Sequence, residues 1–275
     1  MKKTITILTP TYNEEDNIDE LYNRISKVAA KNSHYNFEHL FIDNASNDKS
    51  IEKIKQIAKK DKKVKLIVNA RNFGADASIM HGVTQCKTDA CIYMVSDLQD
   101  PPELISDLIK KWEEGFKIVG LVKTESEEIK IMFILRKLYY RLLTNISEVP
   151  PVENYAGSGL MDRDVIKILR DINDPVPFLR GLLAEIGFPM GIVYFKQLQR
   201  KRGSSANGFL QLYQVALEGI TNHSKFPIKL LSIFGFILSV LSFILAISYL
   251  CLKLFYWDDY NIGMTSLLIG IFFFG

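Results

Sequence analysis

Asp97 and Gln99 are the residues with the clearest chemical use. They stand in the segment Ser96-Asp97-Leu98-Gln99-Asp100-Pro101-Pro102-Glu103. The segment follows directly on Cys91-Ile92-Tyr93-Met94-Val95, a short apolar run bounded by turn residues, which predicts a buried strand. Carboxylates at the carboxyl end of such a strand sit where open α/β sheets bind ligands. Two positions apart in an extended or turning segment, the Asp97 carboxylate and the Gln99 amide oxygen can reach one hard cation. Mg2+ or Mn2+ held by few protein oxygens, with phosphate oxygens filling the remaining positions, is the usual arrangement. The competing reading is a polar loop before a helix that Pro101-Pro102 opens.

The elements that would position this pair are legible upstream. Thr4 to Thr9 reads as a first strand ending at Pro10. From Asn17 to Ala30 the apolar residues Ile18, Leu21, Ile25 and Val28 share one helical face. Glu38–Asp43 is a second strand, Ile51–Ala58 a helix, Val64–Val68 a third strand and Ala75–Gln85 a helix before the strand that carries Asp97. Strands alternating with helices imply right-handed crossovers and a largely parallel sheet. Each strand runs into polar residues: Tyr12-Asn13-Glu14, Asp43-Asn44, Arg71-Asn72 and Asp97-Leu98-Gln99. Any one of these is ordinary turn chemistry; four along one sheet edge make a cleft suited to a nucleotide.

The chain has 275 residues and a formal charge of +3, which leaves no nucleic-acid footprint in the total. The decisive compositional shift is local. From Leu230 to Leu252 there is no charged side chain. As a helix this stretch spans about 34 Å at ~1.5 Å per residue, against a hydrocarbon core of ~30 Å, so it predicts a transmembrane helix. A second apolar run, from Asn261 to Gly275, is too short to cross alone; it reads as a truncated second crossing, with a re-entrant piece as the alternative. Lys225 and Lys229 precede the first span and Asp258 and Asp259 follow it. The excess of basic residues on one side puts the N-terminal domain in the cytoplasm, at the inner or plasma membrane. Met1-Lys2-Lys3 does not open a signal peptide, because the apolar stretch after it is broken by threonines and Pro10. Three cysteines, Cys86, Cys91 and Cys251, make no disulfide framework and fit a reducing compartment.

The second half is less regular. Residues 129–146 are amphipathic and basic, with Arg136, Lys137 and Arg141 among large apolar side chains. Phe209, Leu212, Tyr213, Ala216, Leu217 and Ile220 form another apolar helix face just before the span. Helices of this type lie in the membrane interface or pack on a core. Between them, Arg200, Lys201 and Arg202 precede Gly203-Ser204-Ser205. Arginines beside a Gly-Ser turn grip phosphate through charge-assisted hydrogen bonds; a solvated basic loop or a contact with anionic headgroups reads equally well.

Taken together these segments resemble a known family. Thr9-Pro10-Thr11-Tyr12-Asn13-Glu14-Glu15-Asp16-Asn17-Ile18 is similar to the opening of family 2 glycosyltransferases. So are Asp43-Asn44-Ala45-Ser46-Asn47-Asp48, Arg71-Asn72-Phe73-Gly74 and the Asp97 segment. With Arg180-Gly181 and Arg202-Gly203-Ser204-Ser205 they resemble the branch that acts on polyprenyl phosphates, which includes dolichyl-phosphate mannose synthases and bacterial undecaprenyl-phosphate glucosyltransferases. The resemblance covers roughly residues 4–230, and its motifs are specific in combination rather than singly. It implies an α/β GT-A fold, Rossmann-like with a largely parallel sheet, over residues 1–206. A juxtamembrane helix over 207–228 and a transmembrane region over 229–275 would follow.

The resemblance also implies a nucleotide-diphosphate sugar donor, with uridine as the base and guanosine its main competitor, a divalent cation (Mg2+ or Mn2+) and a polyprenyl phosphate acceptor in the synthesis of cell-envelope polysaccharide. It places Pro10, Tyr12, Glu14 and Asp43 at the base and ribose and Asp97 and Gln99 at the metal and diphosphate. Asn13, Asn44, Arg71, Asn72, Gly74 and Leu98 complete the donor set. For the acceptor phosphate it points to Arg136, Arg200 and Arg202, with Lys123 where relatives often carry arginine, and adds Arg180 and Ser205.

Three positions depart from the pattern. Relatives often carry Asp-Asp after the second strand, where this chain has Asp43-Asn44. They often carry Asp-Ala-Asp at the metal site, where Val95-Ser96-Asp97 lacks the first carboxylate. Both changes would reduce metal affinity. Many carry aspartate in the loop before Leu160-Met161-Asp162-Arg163, where this chain has Gly157-Ser158-Gly159; neither Asp162 nor Asp164 takes over that role by proximity alone. The third departure bears on the acceptor. A sugar hydroxyl must lose a proton to a positioned base. A phosphate monoester, with a second pKa of about 6, is already largely dianionic near neutral pH. The expected reaction is therefore inverting transfer to a lipid phosphate. A transferase extending a lipid-linked glycan on a hydroxyl, or a non-catalytic nucleotide-sugar-binding membrane subunit, are the alternatives. A processive synthase is set aside, since the chain has no Gln-x-x-Arg-Trp element. The span lacks a Gly-x-x-x-Gly pair, so it implies no number of subunits, although homo-oligomers remain open.

Overall fold

The computed structural model describes residues 2–124, 152–172, 174, 177–198 and 226–256, together with Gly263, Leu267, Gly270 and Ile271. The elements run β1 (Thr4–Thr11), α1 (Ile18–Lys31), β2 (Asn36–Asp43), α2 (Ser50–Lys60), β3 (Val64–Val68), α3 (Ala75–Gln85) and β4 (Ala90–Tyr93). A short 3-10 turn at Pro102–Leu104 leads into α4 (Ile105–Glu113) and β5 (Ile118–Lys123). After them come β6 (Tyr155–Asp162), α5 (Arg163–Ile172), α6 (Leu179–Glu185), β7 (Met190–Phe195) and α7 (Phe226–Phe255).

The strands form one seven-stranded sheet among the described residues, in the order β3-β2-β1-β4-β6-β5-β7. The first four pair in parallel, as the alternation of strands and helices predicts. β6 runs antiparallel to both β4 and β5, and β5 pairs with β7 in parallel. This reversal has a direct consequence for the chemistry. The parallel strands bring their carboxyl ends to one edge, and β6 brings its beginning, Tyr155 to Ser158, to that same edge.

Side chains alternate across the sheet, as strand geometry requires. Ile5 and Ile7 of β1 and Phe37 and Phe41 of β2 enter one apolar cluster with Ile18, Leu21, Ile25 and Val28 of α1 and Leu108 and Trp112 of α4. Leu8, Leu40 and Ile42 point the other way, into a cluster with Ile79, Met80 and Val83 of α3, Val165 and Leu169 of α5, and Leu179 and Leu183 of α6. The result is helix, sheet, helix. Each such side chain, fully buried, contributes ~1.5–3 kcal/mol. That is why the face Ile18, Leu21, Ile25, Val28 fixes α1 so firmly. Asp19 and Glu20 in its first turn and Lys31 in its last complement the helix dipole.

At the carboxyl edge of the sheet, two of the strand ends differ from the sequence expectation. β1 continues through Pro10 to Thr11. The pairing of β1 with β4 ends at Leu8, where Met94 N–H donates to the Leu8 carbonyl (3.0 Å). Pro10, two residues on, turns its missing donor toward that vacated side, while Thr11 accepts from Asn44 N–H on the β2 side (2.9 Å). A proline is tolerated where no ladder bond is due. Conversely β4 stops at Tyr93 rather than Val95, because the chain there leaves the sheet for the turn that holds Asp97.

α7 belongs to a second compact unit. Its residues Ile228–Phe255 form a 28-residue helix of mean hydropathy 2.7, long and apolar enough to cross a membrane. The Ser232 hydroxyl donates to the Ile228 carbonyl (2.9 Å), so its polar group is satisfied inside the helix, as an apolar surround demands. The helices expected over 129–146 and 207–228 fall on residues outside those described, up to Phe226. So does most of the second apolar run.

Candidate active site

The edge where β3, β2, β1 and β4 end is built by side chains that lace one turn to the next. Asp43, fully buried at the end of β2, accepts from both the amide (2.8 Å) and the hydroxyl (2.6 Å) of Ser46. The Ser46 oxygen in turn accepts from Asn13 N–H (2.9 Å), and the Asn13 side-chain oxygen accepts from Asn47 N–H (2.9 Å). Glu14 is buried, with its carboxylate accepting from the Asn17 side chain (2.5 Å). Glu14 N–H donates to Ser50 Oγ (3.0 Å). The β1 and β2 turns therefore form one hydrogen-bonded unit.

Asn44 joins this unit to the β3 turn. Its side chain is 5 % exposed and makes four hydrogen bonds. The amide nitrogen donates to the Gly74 carbonyl (3.1 Å) and to Asn72 Oδ1 (2.8 Å). The oxygen accepts from Phe73 N–H (3.1 Å) and from the Asn69 side chain (3.1 Å). Two of the partners are backbone groups with fixed roles, a carbonyl and an N–H, so the orientation of the amide is determined. A carboxylate at 44 has no donor for Gly74 and Asn72. The departure from Asp-Asp is thus matched to its surroundings: Asn44 shapes the Asn69–Gly74 loop rather than standing as a depleted ligand.

At the end of β4 the chain turns sharply. Leu98 sits in the left-handed region (φ 61°), and so do Asn13 (φ 54°) and Ala45 (φ 63°) at the other two tips. Three non-glycine residues in that region at neighbouring strand ends are uncommon, and such strain collects at functional sites. Asp97 Oδ1 accepts from Gln99 N–H (3.1 Å), closing the turn, and both side chains remain partly exposed. They supply two hard oxygen donors at the rim. Among the described residues no group of three His, Cys, Asp or Glu converges on a metal position. Two protein oxygens fit a divalent cation that keeps water and phosphate oxygens for its other positions. The Gln99 carbonyl accepts from Leu198 N–H (3.1 Å), so the chain leaving β7 is tied to this turn before it enters the Arg200 segment.

Beyond the turn lies Asp100, 3 % exposed. Burial pushes its carboxyl above the usual carboxylate range, while the Ser158 hydroxyl, Lys123 and Arg180 act in the opposite sense and Asp97 reinforces the rise. Ser158, fully buried, donates to Asp100 Oδ2 (2.6 Å). Nothing in the sequence joins these two residues. Only the antiparallel β6 brings Ser158 to the edge, and that reversal has no local signature. Tyr93 and Tyr155 stand close by. Burial pushes the Tyr155 phenol up to about 12 and raises that of Tyr93 as well, so both stay protonated near neutral pH.

Arg180, near the start of α6, reaches this group from outside. Its Nη2 donates to the Ala156 carbonyl (3.1 Å), and the Tyr155 hydroxyl donates to the next carbonyl, that of Gly157 (3.0 Å). Gly157 has φ 94°, and a Cβ built there would lie 2.8 Å from Arg180 Nε. The glycine is needed for its backbone and for the space it leaves.

The structure therefore brings together Pro10, Tyr12, Asn13, Glu14, Asp43, Asn44, Asn72 and Gly74 along one edge, with Asp97, Leu98 and Gln99 beside them and Lys123 and Arg180 acting on Asp100. It divides them by exposure. Asp43, Asn44, Glu14 and Leu98 are buried and hold the turns in place, whereas Tyr12, Asn13, Arg71, Asn72 and Gly74 are exposed. Arg71 lies over the Phe73 ring at 4.1 Å, a cation–π pair at the rim. Asp162 is remote from this edge: it pairs with Ala90 at the start of β4 and accepts from Trp112 Nε1 (2.7 Å). Arg136, Arg200, Arg202 and Ser205 lie outside the described residues.

Comparison with known proteins bears on this arrangement. Residues 6–169 match Glycosyl transferase family 2. The chain is 33 % identical to the uncharacterized glycosyltransferase YkcC of Bacillus subtilis, over 96 % of this chain and 81 % of that protein. It is 29 % identical to a prophage bactoprenol glucosyl transferase homolog of Escherichia coli, over 98 % of this chain and 88 % of the relative. The bactoprenol glucosyl transferase of Shigella phage SfV is 28 % identical over the same shares. Among solved structures, glucosyl-3-phosphoglycerate synthase from Mycobacterium tuberculosis, in complex with Mn2+, UDP and phosphoglyceric acid, superposes with a TM-score of 0.55. The match covers 80 % of this chain and 77 % of that one, at 16 % identity, a likeness of fold.

Proposed function

The chain belongs to glycosyl transferase family 2 and is a glycosyltransferase with a GT-A-like fold, and from that membership we propose that it moves a sugar from a UDP-sugar to polyprenyl phosphate at the cytoplasmic face of the membrane. The observation that carries the reading is that four parallel strands end along one sheet edge, with Asp97 and Gln99 in the turn that follows one of them, in a chain that also holds a helix long and apolar enough to cross a bilayer. The relatives named bactoprenol glucosyl transferases, matched over nearly the whole chain, support a lipid carrier as acceptor. The fold neighbour solved with Mn2+ and UDP supports the donor class.

The residues divide the work as follows. Tyr12, Asn13, Arg71 and Asn72 face solvent at the tips and take the nucleoside. Buried Asp43 and Asn44 keep those tips in register. Asp97 and Gln99 would hold Mg2+ or Mn2+, which when bound would offset the charge of the leaving diphosphate. An acceptor oxygen attacks the anomeric carbon from the face opposite the diphosphate. A carbon–oxygen bond forms as the one to the diphosphate breaks, its electron pair leaves with the diphosphate, and configuration inverts. Lys123 and Arg180 stand on the acceptor side as fixed positive charge, the preorganised kind that needs no rearrangement during reaction. The neighbouring phenols, held protonated, offer no general base, and an ionised phosphate needs none.

The test is a panel of radiolabelled nucleotide sugars offered to the solubilised protein with polyprenyl phosphate and Mg2+ or Mn2+, followed by organic extraction. Label from a UDP-hexose should enter the organic phase as an acid-labile phosphodiester-linked sugar. Asp97→Asn should abolish it with the melting midpoint unchanged. Transfer at the wild-type rate by Asp97→Asn with metal chelated refutes the site. A stable glycosidic disaccharide as product refutes the acceptor class.

A further inference from the structure

Cys86 and Cys91 meet near the start of β4, at the opposite end of that strand from the Asp97 turn. Cys86 is the first residue after α3, and its N–H donates to the Val83 carbonyl (3.1 Å). Cys91 lies within β4, paired with Thr6 of β1 on one side and Met161 of β6 on the other. The two sulfurs are 3.4 Å apart, and Cys86 Sγ is 3.3 Å from the Gly82 carbonyl. One S–H cannot serve both contacts, so Cys86 donates to Gly82 and Cys91 donates to Cys86. The thiols are not equivalent. Cys91 is fully enclosed, whereas Cys86 keeps 2 % exposure. Cys86 also belongs to the wall of a cavity of about 720 Å3, shared with Lys87, Arg163, Lys167 and Arg170. Arg170 reaches over the end of α3, its Nε donating to the Thr84 carbonyl (3.0 Å) and its Nη2 to that of Cys86 (2.8 Å). The Cys91 S–H, the Thr6 hydroxyl and the Arg170 charge favour the Cys86 thiolate against burial and Glu38, and hold its pKa below the usual thiol value. Cys91, which supplies that hydrogen bond and is buried, is held well above it.

We propose that Cys86 and Cys91 are an oxidisable dithiol: a hydroperoxide that enters the basic cavity oxidises Cys86, and Cys91 converts the product to an intramolecular disulfide. The Cys86 thiolate attacks one oxygen of the peroxide and the O–O bond breaks. The leaving hydroxide takes up a proton to become water, and Cys86 is left as a sulfenic acid. The Cys91 sulfur then attacks the Cys86 sulfur, the S–O bond breaks, and the departing hydroxide takes the Cys91 proton as a second water. Two thiols and one hydrogen peroxide give one disulfide and two waters. Closing the bond brings the sulfurs from 3.4 Å to about 2.05 Å. Cys91 is held in its strand by ladders on both sides, while Cys86 stands between a helix end and the short turn before β4. Cys86 therefore supplies the movement, and oxidation draws the last turn of α3 onto the sheet. The site needs nothing from the sugar-transfer reading and shares no residue with it.

The experiment uses the full chain in detergent with Cys251→Ser, so that only the two thiols remain. The reduced protein is treated with hydrogen peroxide, alkylated after denaturation and mapped by peptide mass spectrometry. The folded protein should lose the mass of two hydrogen atoms, yield a linked Cys86–Cys91 peptide and return to the dithiol with dithiothreitol, its thermal transition still cooperative. Adding Cys91→Ser should stop the reaction at a sulfenic acid on Cys86 that dimedone captures. Adding Cys86→Ser should leave Cys91 reacting at least about tenfold more slowly than Cys86 does in Cys91→Ser, as its enclosure and raised pKa require. Should either serine variant fail to fold, dimedone added together with peroxide to the Cys251→Ser protein reads the order of attack, and the label should fall on Cys86. Two thiols still open to alkylation after a peroxide treatment that fully oxidises the urea-unfolded chain overturn the proposal. So does dimedone capture on Cys91 as fast as on Cys86.

Discussion

Asn44→Asp is nearly isosteric and would restore the Asp-Asp sequence common among relatives, so it separates two accounts of that position. If Asn44 is a depleted metal ligand, the substitution should strengthen metal dependence and raise activity. The hydrogen-bond geometry predicts the reverse. Two donors are lost, those to the Gly74 carbonyl and Asn72 Oδ1, and an oxygen is placed against two oxygens in a position 5 % exposed. At ~0.5–1.5 kcal/mol per hydrogen bond, with ~1–3 kcal/mol for leaving buried polar groups unpaired, the Asn69–Gly74 loop should lose ~2–4 kcal/mol. Chemical denaturation measures the global part, and amide hydrogen exchange at Phe73 and Gly74 reads the local part. Exchange there should accelerate by about 30-fold or more for ~2 kcal/mol or more, at 1.4 kcal/mol per tenfold. The defect should shrink at low pH, where the introduced carboxyl is protonated and regains one donor. Unchanged protection of Phe73 and Gly74 together with tighter metal dependence would refute the reasoning.

Three further outcomes follow from particular contacts. Ser158→Ala leaves the buried Asp100 carboxylate without the 2.6 Å hydroxyl donor and should cost ~1–3 kcal/mol by denaturant midpoint, less once the pH is low enough to protonate the acid, whose carboxyl burial holds above the usual range. His39 is fully buried, its Nε2 3.0 Å from Thr9 Oγ1, and burial pushes its pKa down to about 3. The folded imidazole therefore stays neutral, while the unfolded one gains a proton below its pKa of ~6.5. Its contribution is intact above that value and is lost as pH falls toward about 3. Between pH 7 and 5 the loss is about 2 kcal/mol, and a His39→Leu variant should show a correspondingly flatter midpoint against pH. Ile237→Lys, within the apolar stretch of α7, should cost ~2.5–3.5 kcal/mol of membrane insertion, read as release into the soluble fraction on an alkaline wash.

The amino-terminal half of the fold is legible in the sequence because each of its elements is marked locally. The Ile18, Leu21, Ile25, Val28 spacing announces α1, and all four residues are buried. Runs such as Val64–Val68 are bounded by turn residues. The tips are legible for the same reason, since polar residues after an apolar run need no tertiary knowledge to find. What is not legible depends on pairings far apart in the chain. β6 carries Gly157-Ser158-Gly159, a poor strand signal, and is held because β4 and β5 flank it. Its antiparallel sense, the Ser158–Asp100 bond and the fit of Arg180 over Gly157 all follow from that placement. The difference between a residue that touches a ligand and one that holds a turn is likewise invisible in the sequence. Asp43 and Tyr12 belong to the same motif set, yet one is sealed within the Ser46 turn and the other is exposed.

Leu98, Ala45 and Asn13, twisted into left-handed conformations at adjacent strand ends, set the domain's resistance to heat against its turnover. Strain of this kind costs ~1–3 kcal/mol per residue, least for asparagine, and the sheet beneath must be stable enough to carry it. Glycine at 45 would relax one kink and lift the melting temperature by about 2–4 °C for each kcal/mol of strain released. The same change would let the turn after β2 wander. A lineage of this enzyme evolving in hot surroundings would accordingly gain its extra stability in the helices and the sheet interior and leave these three kinks alone.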